Sequence, residues 1–195
     1  MTLSNDTYEF IKGEVVFLFE RYNVCTIPIS GFELAYKMGI RLIPYSSLSV
    51  EKRQAAGRIS SDGFFSEIND GIEVVFYNDS VQYERMNMTI LHEIAHCVLD
   101  HTGSPERADV EEAEANFFAK YALAPPPLVH IISPNNWTNV RCAFHNSVEA
   151  ALYSYAYYQK WLYGFRIYGY KKYEIELLRL FGIAPEKERN SPMVA

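Results

Sequence analysis

His92-Glu93-Ile94-Ala95-His96 lies inside an apolar, helix-forming run from Met88 to Leu99. On an α-helix, two histidines four residues apart sit roughly 40° apart around the axis and ~6 Å apart along it. Both imidazoles can then reach one metal ion, and the Glu93 carboxylate is close enough to handle a proton from water at that metal. The pattern constrains the fold directly. This stretch has to be a helix with one polar face open to a site and the opposite face buried. His92 and His96 are therefore expected as metal ligands, Glu93 as general base and Zn2+ as the ion.

A catalytic zinc site takes three protein ligands and keeps one position open. Asp100 and His101 follow His92 by eight and nine residues, ~12–14 Å farther along a continuous helix, and cannot converge on the same ion unless the helix breaks. The longer pattern H-E-x-x-H-x-x-G-x-x-H is absent, since Leu99 and Thr102 occupy its glycine and third-histidine positions. The next segment offers Glu111, Glu112 and Glu114. Ala108, Glu112, Ala115, Ala119 and Ala122 recur at spacings of four, three, four and three, a stripe of small residues that lets another helix come close. Glu112 is the single charge on that stripe and is expected as the third ligand, against the plainer reading of a solvated acidic run. Glu114 comes next, and Glu111 shares a polar stripe with Arg107. Asn116, one turn after Glu112, is placed to hydrogen-bond a ligand.

Around this centre the pattern predicts an α+β chain. A helix over 6–22 has Phe10, Ile11, Val15, Leu18 and Phe19 on its apolar face. A second, over 31–38, is bracketed by a Ser30/Glu33 capping box and Gly39. Residues 40–45 read as a strand, and 64–68 and 72–77 as a hairpin about Asn69-Asp70-Gly71. The result is a small, mostly antiparallel sheet, with 72–78 as the edge on which a peptide could lie. The motif helix runs over about 82–100. Ser104 and Pro105 read as the start of the next helix, which ends at Pro125-Pro126-Pro127. Those prolines suggest a boundary between a catalytic body, 1–127, and a helical C-terminal appendage, 128–195, with helices near 147–163 and 171–181. Between Tyr153 and Tyr173 lie ten aromatic residues with Lys160, Arg166, Lys171 and Lys172 and no acid. They serve either as core packing at helical spacing or as a partner-binding surface.

A net charge of −6 argues against generic binding to a nucleic-acid backbone. With 49% hydrophobic and 22% charged residues the chain can fill an ordinary core. No apolar run reaches bilayer-spanning length, and the first residues lack the features of a signal peptide. Cys25, Cys97 and Cys142 have no metal-like spacing and read as free thiols, so a cytoplasmic location is expected.

The stretch from His92 through Glu112-Ala113-Glu114-Ala115-Asn116-Phe117-Phe118-Ala119 to Leu123-Ala124-Pro125 resembles the ImmA/IrrE family of zinc metallopeptidases. That family has H-E-x-x-H followed by E-x-E-A-N/D-x-F-A and a leucine-rich segment ending in proline. A looser likeness covers roughly 8–125, and Ala124 stands where methionine is common. The resemblance implies a zincin-like fold with a minimal sheet over two active-site helices. It implies zinc ligands at His92, His96 and Glu112 and a base at Glu93. It also implies a protein substrate, a helix-turn-helix repressor, in mobile elements or stress responses. The competing expectation is a zinc-containing regulatory or binding protein that cleaves nothing; a metal held only for structure has no need of Glu93.

Overall fold

A computed structural model describes residues 2–68 and 71–185. The first helix, α1 (Asn5–Arg21), starts where the Ser4 hydroxyl accepts from the Thr7 N–H at 3.1 Å. It buries Ile11, Val15, Leu18 and Phe19, whereas Phe10 points outward at 59% exposure. α2 (Gly31–Met38) is capped by Ser30, and Gly39 closes it in the left-handed region at φ 82°. Only half of the expected capping box forms, because the Glu33 carboxylate turns to Lys37 at 2.7 Å.

The sheet has three strands: β1 (Arg41–Pro44), β2 (Gly63–Ile68) and β3 (Ile72–Tyr77), in the order β1-β3-β2. β2 and β3 pair antiparallel from Gly63↔Tyr77 to Ile68↔Ile72, as a hairpin should. Asn69 and Asp70 of the expected turn lie outside the described residues. β1 joins β3 in parallel, Arg41↔Val74 to Pro44↔Tyr77. The expectation that 72–78 forms an edge is overturned, since β3 is the central strand and β1 and β2 are the edges. Val74 and Val75, adjacent residues pointing to opposite faces, are both fully buried, which is the signature of an interior strand.

α3 (Val50–Ile59) was not expected. Its sequence has no apolar period, it buries only Ala56, and Arg53 ties it down by donating to the carbonyls of Tyr45, Ser46 and Leu48. α4 (Tyr83–Val98) carries the motif and buries Ile90, Leu91, Ile94 and Ala95 completely. Asn87, also buried, locks α4 to the start of α2 by accepting from the Gly31 N–H at 2.6 Å and donating to the Ile29 carbonyl at 3.0 Å.

α5 (Ala108–Leu123) packs along α4 and buries Ala115, Ala119 and Ala122 completely. It begins three residues after Pro105, not at it, and Arg107 is its N-cap. The cause is Glu111, whose buried carboxylate reaches back to the N–H groups of Thr102 and Gly103 at 3.2 and 3.0 Å and folds 102–107 into a turn. After α5, Pro125 caps and Pro126 opens α6 (Pro126–Ile131), so these prolines start a buried helix as well as ending one. α7 (Trp137–Phe144), α8 (Val148–Tyr168) and α9 (Lys172–Leu180) follow. Leu128, Val129, Val140, Phe144, Tyr158, Leu177 and Leu178 share one hydrophobic cluster with Ile11, Val15, Phe19 and Phe118. The aromatic stretch divides: Tyr158 is buried and Trp161 donates to Glu174 at 2.6 Å, while Tyr163 and Tyr168 are exposed. The chain is thus α+β as expected, with its mixed sheet on one side of the motif helix and α5 beside it.

Candidate metal centre

Helix periodicity sets His92 and His96 one turn apart on the open face of α4, and the close approach of α5 brings Glu112 over them. The Nε2 atoms of His92 and His96 are 3.1 Å apart. Glu112 places Oε2 at 3.4 Å from His92 Nε2 and Oε1 at 3.4 Å from His96 Nε2. Zinc bonds to nitrogen and oxygen of ~2.0–2.1 Å imply a tetrahedron with edges of about 3.3 Å. The His92–His96 nitrogen pair stands near that spacing, each nitrogen faces a different oxygen of Glu112 at about the same separation, and one donor atom from each of the three residues lies within 4.8 Å of the others. Burial pushes the His92 imidazole below its ordinary pKa and, with the neighbouring His92, pushes His96 down to about 4. Both rings are neutral near pH 7 and offer lone pairs. Two imidazoles and a carboxylate form a donor set that suits zinc and leaves one position free.

Glu93, beside His92 on α4, reaches the sheet. It is 8% exposed, and its Oε2 accepts from the N–H of Phe65 on edge strand β2 at 2.8 Å. Burial raises its pKa to about 7, the Phe65 N–H opposes that rise, and the Glu112 charge adds to it. All four residues line one cavity of about 540 Å³, whose far wall includes Ser60, Gly63 and Phe64. Gly63 is there because a Cβ at this position would stand 2.7 Å from Thr89 Cγ2 and 2.8 Å from the Phe76 carbonyl.

Asn116 also lines the cavity, but it donates to the main-chain carbonyl of Glu112 at 2.8 Å and not to the carboxylate. The group that sequence reasoning missed is His101. Asp100 adopts a left-handed φ of 52°, and the His101 N–H returns to the His96 carbonyl at 3.0 Å. This turn brings the His101 ring back against His96, with the two Nδ1 atoms 2.9 Å apart. His101 Nε2 in turn lies 3.1 Å from Glu114 Oε2. His101 thus meets His96 at Nδ1, the nitrogen opposite the Nε2 that faces His92 and Glu112, because the helix breaks before it. A histidine just past the motif was the available signal; its conformation depended on a left-handed non-glycine residue that no pattern announces.

The three neighbouring acids of α5 accordingly face three ways: Glu111 to the preceding loop, Glu112 to the histidine pair and Glu114 to His101. Tyr121, His130 and His145 do not line the cavity. Tyr121 is in the core, His130 lies 2.9 Å from the Tyr158 hydroxyl, and His145 caps α7. The three cysteines are free, and burial with the nearby Glu73 pushes the Cys97 thiol up to about 12. No described helix is long and apolar enough to cross a membrane.

No curated protein sequence matches the chain. The sequence profile of the IrrE N-terminal-like domain, Peptidase M78, matches residues 43–154, more than half of the chain and a span that includes β2, β3, α4 and α5. The chain belongs to the M78 peptidase family of IrrE N-terminal-like domains.

Proposed function

We propose that this member of a metallopeptidase family is a zinc-dependent endopeptidase that hydrolyses a peptide bond in one specific protein, a helix-turn-helix transcriptional repressor. The observation that carries the reading is a single cavity holding two histidines and a glutamate, with one donor atom of each within 4.8 Å of the others, together with a buried carboxylate of raised pKa. His92, His96 and Glu112 hold the ion. Zinc, when bound, supplies Lewis acidity to the attacking water and the scissile carbonyl. Glu93 takes the proton from that water and passes it to the leaving amide nitrogen, a task suited to a carboxyl tuned toward neutral pH. The substrate segment adds as a strand to the β2 edge, which borders the cavity at Gly63 and Phe64. The repressor as substrate rests on the family resemblance, and its site of action is then the cytoplasm, where three free thiols stay reduced.

A second reading, a zinc-holding regulator without peptidase activity, draws support from the hydrogen bond that employs Glu93 in joining α4 to β2. One experiment separates the two. The wild type and Glu93→Gln are incubated with a candidate repressor, with and without chelator, and the fragments are read by mass spectrometry. Cleavage by the wild type alone, abolished by chelation, is the expected result; equal cleavage by Glu93→Gln would sink Glu93 as the base.

A further inference from the structure

We infer that His101 and Glu114 form a hydrogen-bond relay that holds the His96 ring in the orientation and tautomer that leave Nε2 free for a metal. The inference rests on the reading of His92, His96 and Glu112 as ligands.

The argument starts from His96. Its Nε2 faces His92 and Glu112, while its Nδ1 lies 2.9 Å from Nδ1 of His101. A nitrogen that binds a metal carries no proton, so the proton of the neutral ring resides on Nδ1. Nδ1 of His101 then has to accept it, which leaves the His101 proton on Nε2. That proton points at Glu114 Oε2, 3.1 Å away. A carboxylate only accepts, so Glu114 sets the direction of the first hydrogen bond and the first sets the second. The side chain of His101 is 3% exposed and that of Glu114 is 16% exposed, leaving little room for water to substitute for either.

The backbone is arranged to the same end. The left-handed Asp100 folds His101 over the turn it follows, and Glu111 clamps the next two residues through the Thr102 and Gly103 N–H groups. Glu111 and Glu114 of α5 thus act on the histidine pair without touching it. His101 is a positioning residue for His96, and Glu114 is one for His101.

The test reads zinc affinity of the whole chain by competition with a chromophoric chelator. His101→Phe keeps a flat ring but cannot accept a hydrogen bond, and its affinity should fall about 10- to 100-fold. His101→Gln restores an acceptor and should recover part of the loss. Glu114→Ala should lose roughly tenfold, and Glu114→Gln, which still accepts, less. In 15N spectra of metal-free protein at neutral pH, His96 should be the Nδ1–H tautomer in the wild type and a mixture in His101→Phe. A purely packing role would lower the melting temperature and leave that tautomer unmoved. Unchanged zinc affinity in folded His101→Phe and Glu114→Ala overturns the relay; if His101→Phe does not fold, the Glu114 pair decides. Glu112→Ala separates the two levels. Zinc lost there and kept in the relay variants refutes only the relay, while zinc kept in Glu112→Ala refutes the ligand reading beneath it.

Discussion

Replacing Glu93 by Gln is expected to make the metal-free protein more stable in mildly alkaline solution, although it removes the proposed base. The carboxyl is 8% exposed, and its pKa rises from 4.5 to about 7, first because burial disfavours the ion. The folded chain therefore binds a proton between about pH 4.5 and 7 that the unfolded chain has released, so stability falls as pH rises through that window and is flat above it. At 1.36 kcal/mol per pH unit the ionised fold carries a cost of about 3 kcal/mol above pH 8. Gln has the same shape and its amide oxygen can still accept from the Phe65 N–H, though a neutral acceptor binds more weakly by about 1 kcal/mol. The net gain is about 2 kcal/mol, or about 4–8 °C in melting temperature for a chain of this size. Thermal unfolding followed by circular dichroism in chelator, at about pH 5 and about pH 8.5, reads the difference directly. The gain should be present at the higher pH and nearly absent at the lower. A gain of equal size at both, or a loss at the higher, would refute the assignment of a strained, ionised Glu93 to the fold.

Other expectations address the frame around the site. Asn87→Ala leaves the buried Gly31 N–H and Ile29 carbonyl unpaired and should cost about 2–3 kcal/mol in urea unfolding; a cost under about 0.5 kcal/mol would mean the two groups find other partners. Gly63→Ala drives a methyl into Thr89 and the Phe76 carbonyl, so β2 has to move off α4; stability should drop by about 1–3 kcal/mol and the Phe65 amide resonance should shift. Glu9 ties α1 to α9: burial raises its pKa, but hydrogen bonds from Lys12, Lys171 and Tyr173 outweigh burial and hold it down to about 2. Its contribution, about 1 kcal/mol after allowance for solvent screening, is present above about pH 4.5 and lost as pH falls through about 2. The stability gap between the wild type and Glu9→Gln should accordingly narrow from pH 5 to pH 2.5; a constant gap would remove the charge from the explanation.

The residues brought together on the cavity wall were legible wherever helix geometry decides. The i, i+4 spacing of His92 and His96 and the alanine stripe around Glu112 are properties of a regular helix, and regularity is what a pattern can carry. The hairpin was legible from its alternation and its turn residues. What escaped depended on irregular or long-range features. α3 has no apolar period because most of it is exposed and its anchor is one arginine, Arg53. The central place of β3 arises from the parallel pairing with β1, a contact between residues 33 apart in the chain that leaves no local mark. Pro126 opens α6 because its fixed φ suits a first turn, and the same residue read along the chain looks like a break. His101 depended on the conformation of Asp100.

The hydrogen bond from Phe65 to Glu93 gives the molecule a label it already carries. On the outer side of an edge strand a main-chain N–H ordinarily meets solvent, and its proton exchanges quickly. This one is held by a side chain from another element, so its exchange rate and chemical shift follow the whereabouts of a single carboxylate. An acceptor that pairs with β2 at Phe65 competes for that N–H, because one donor cannot serve two acceptors at full strength. The Phe65 amide is therefore a native probe through which strand addition at the sheet edge and release of the Glu93 carboxylate can be watched together, without altering any atom of the chain.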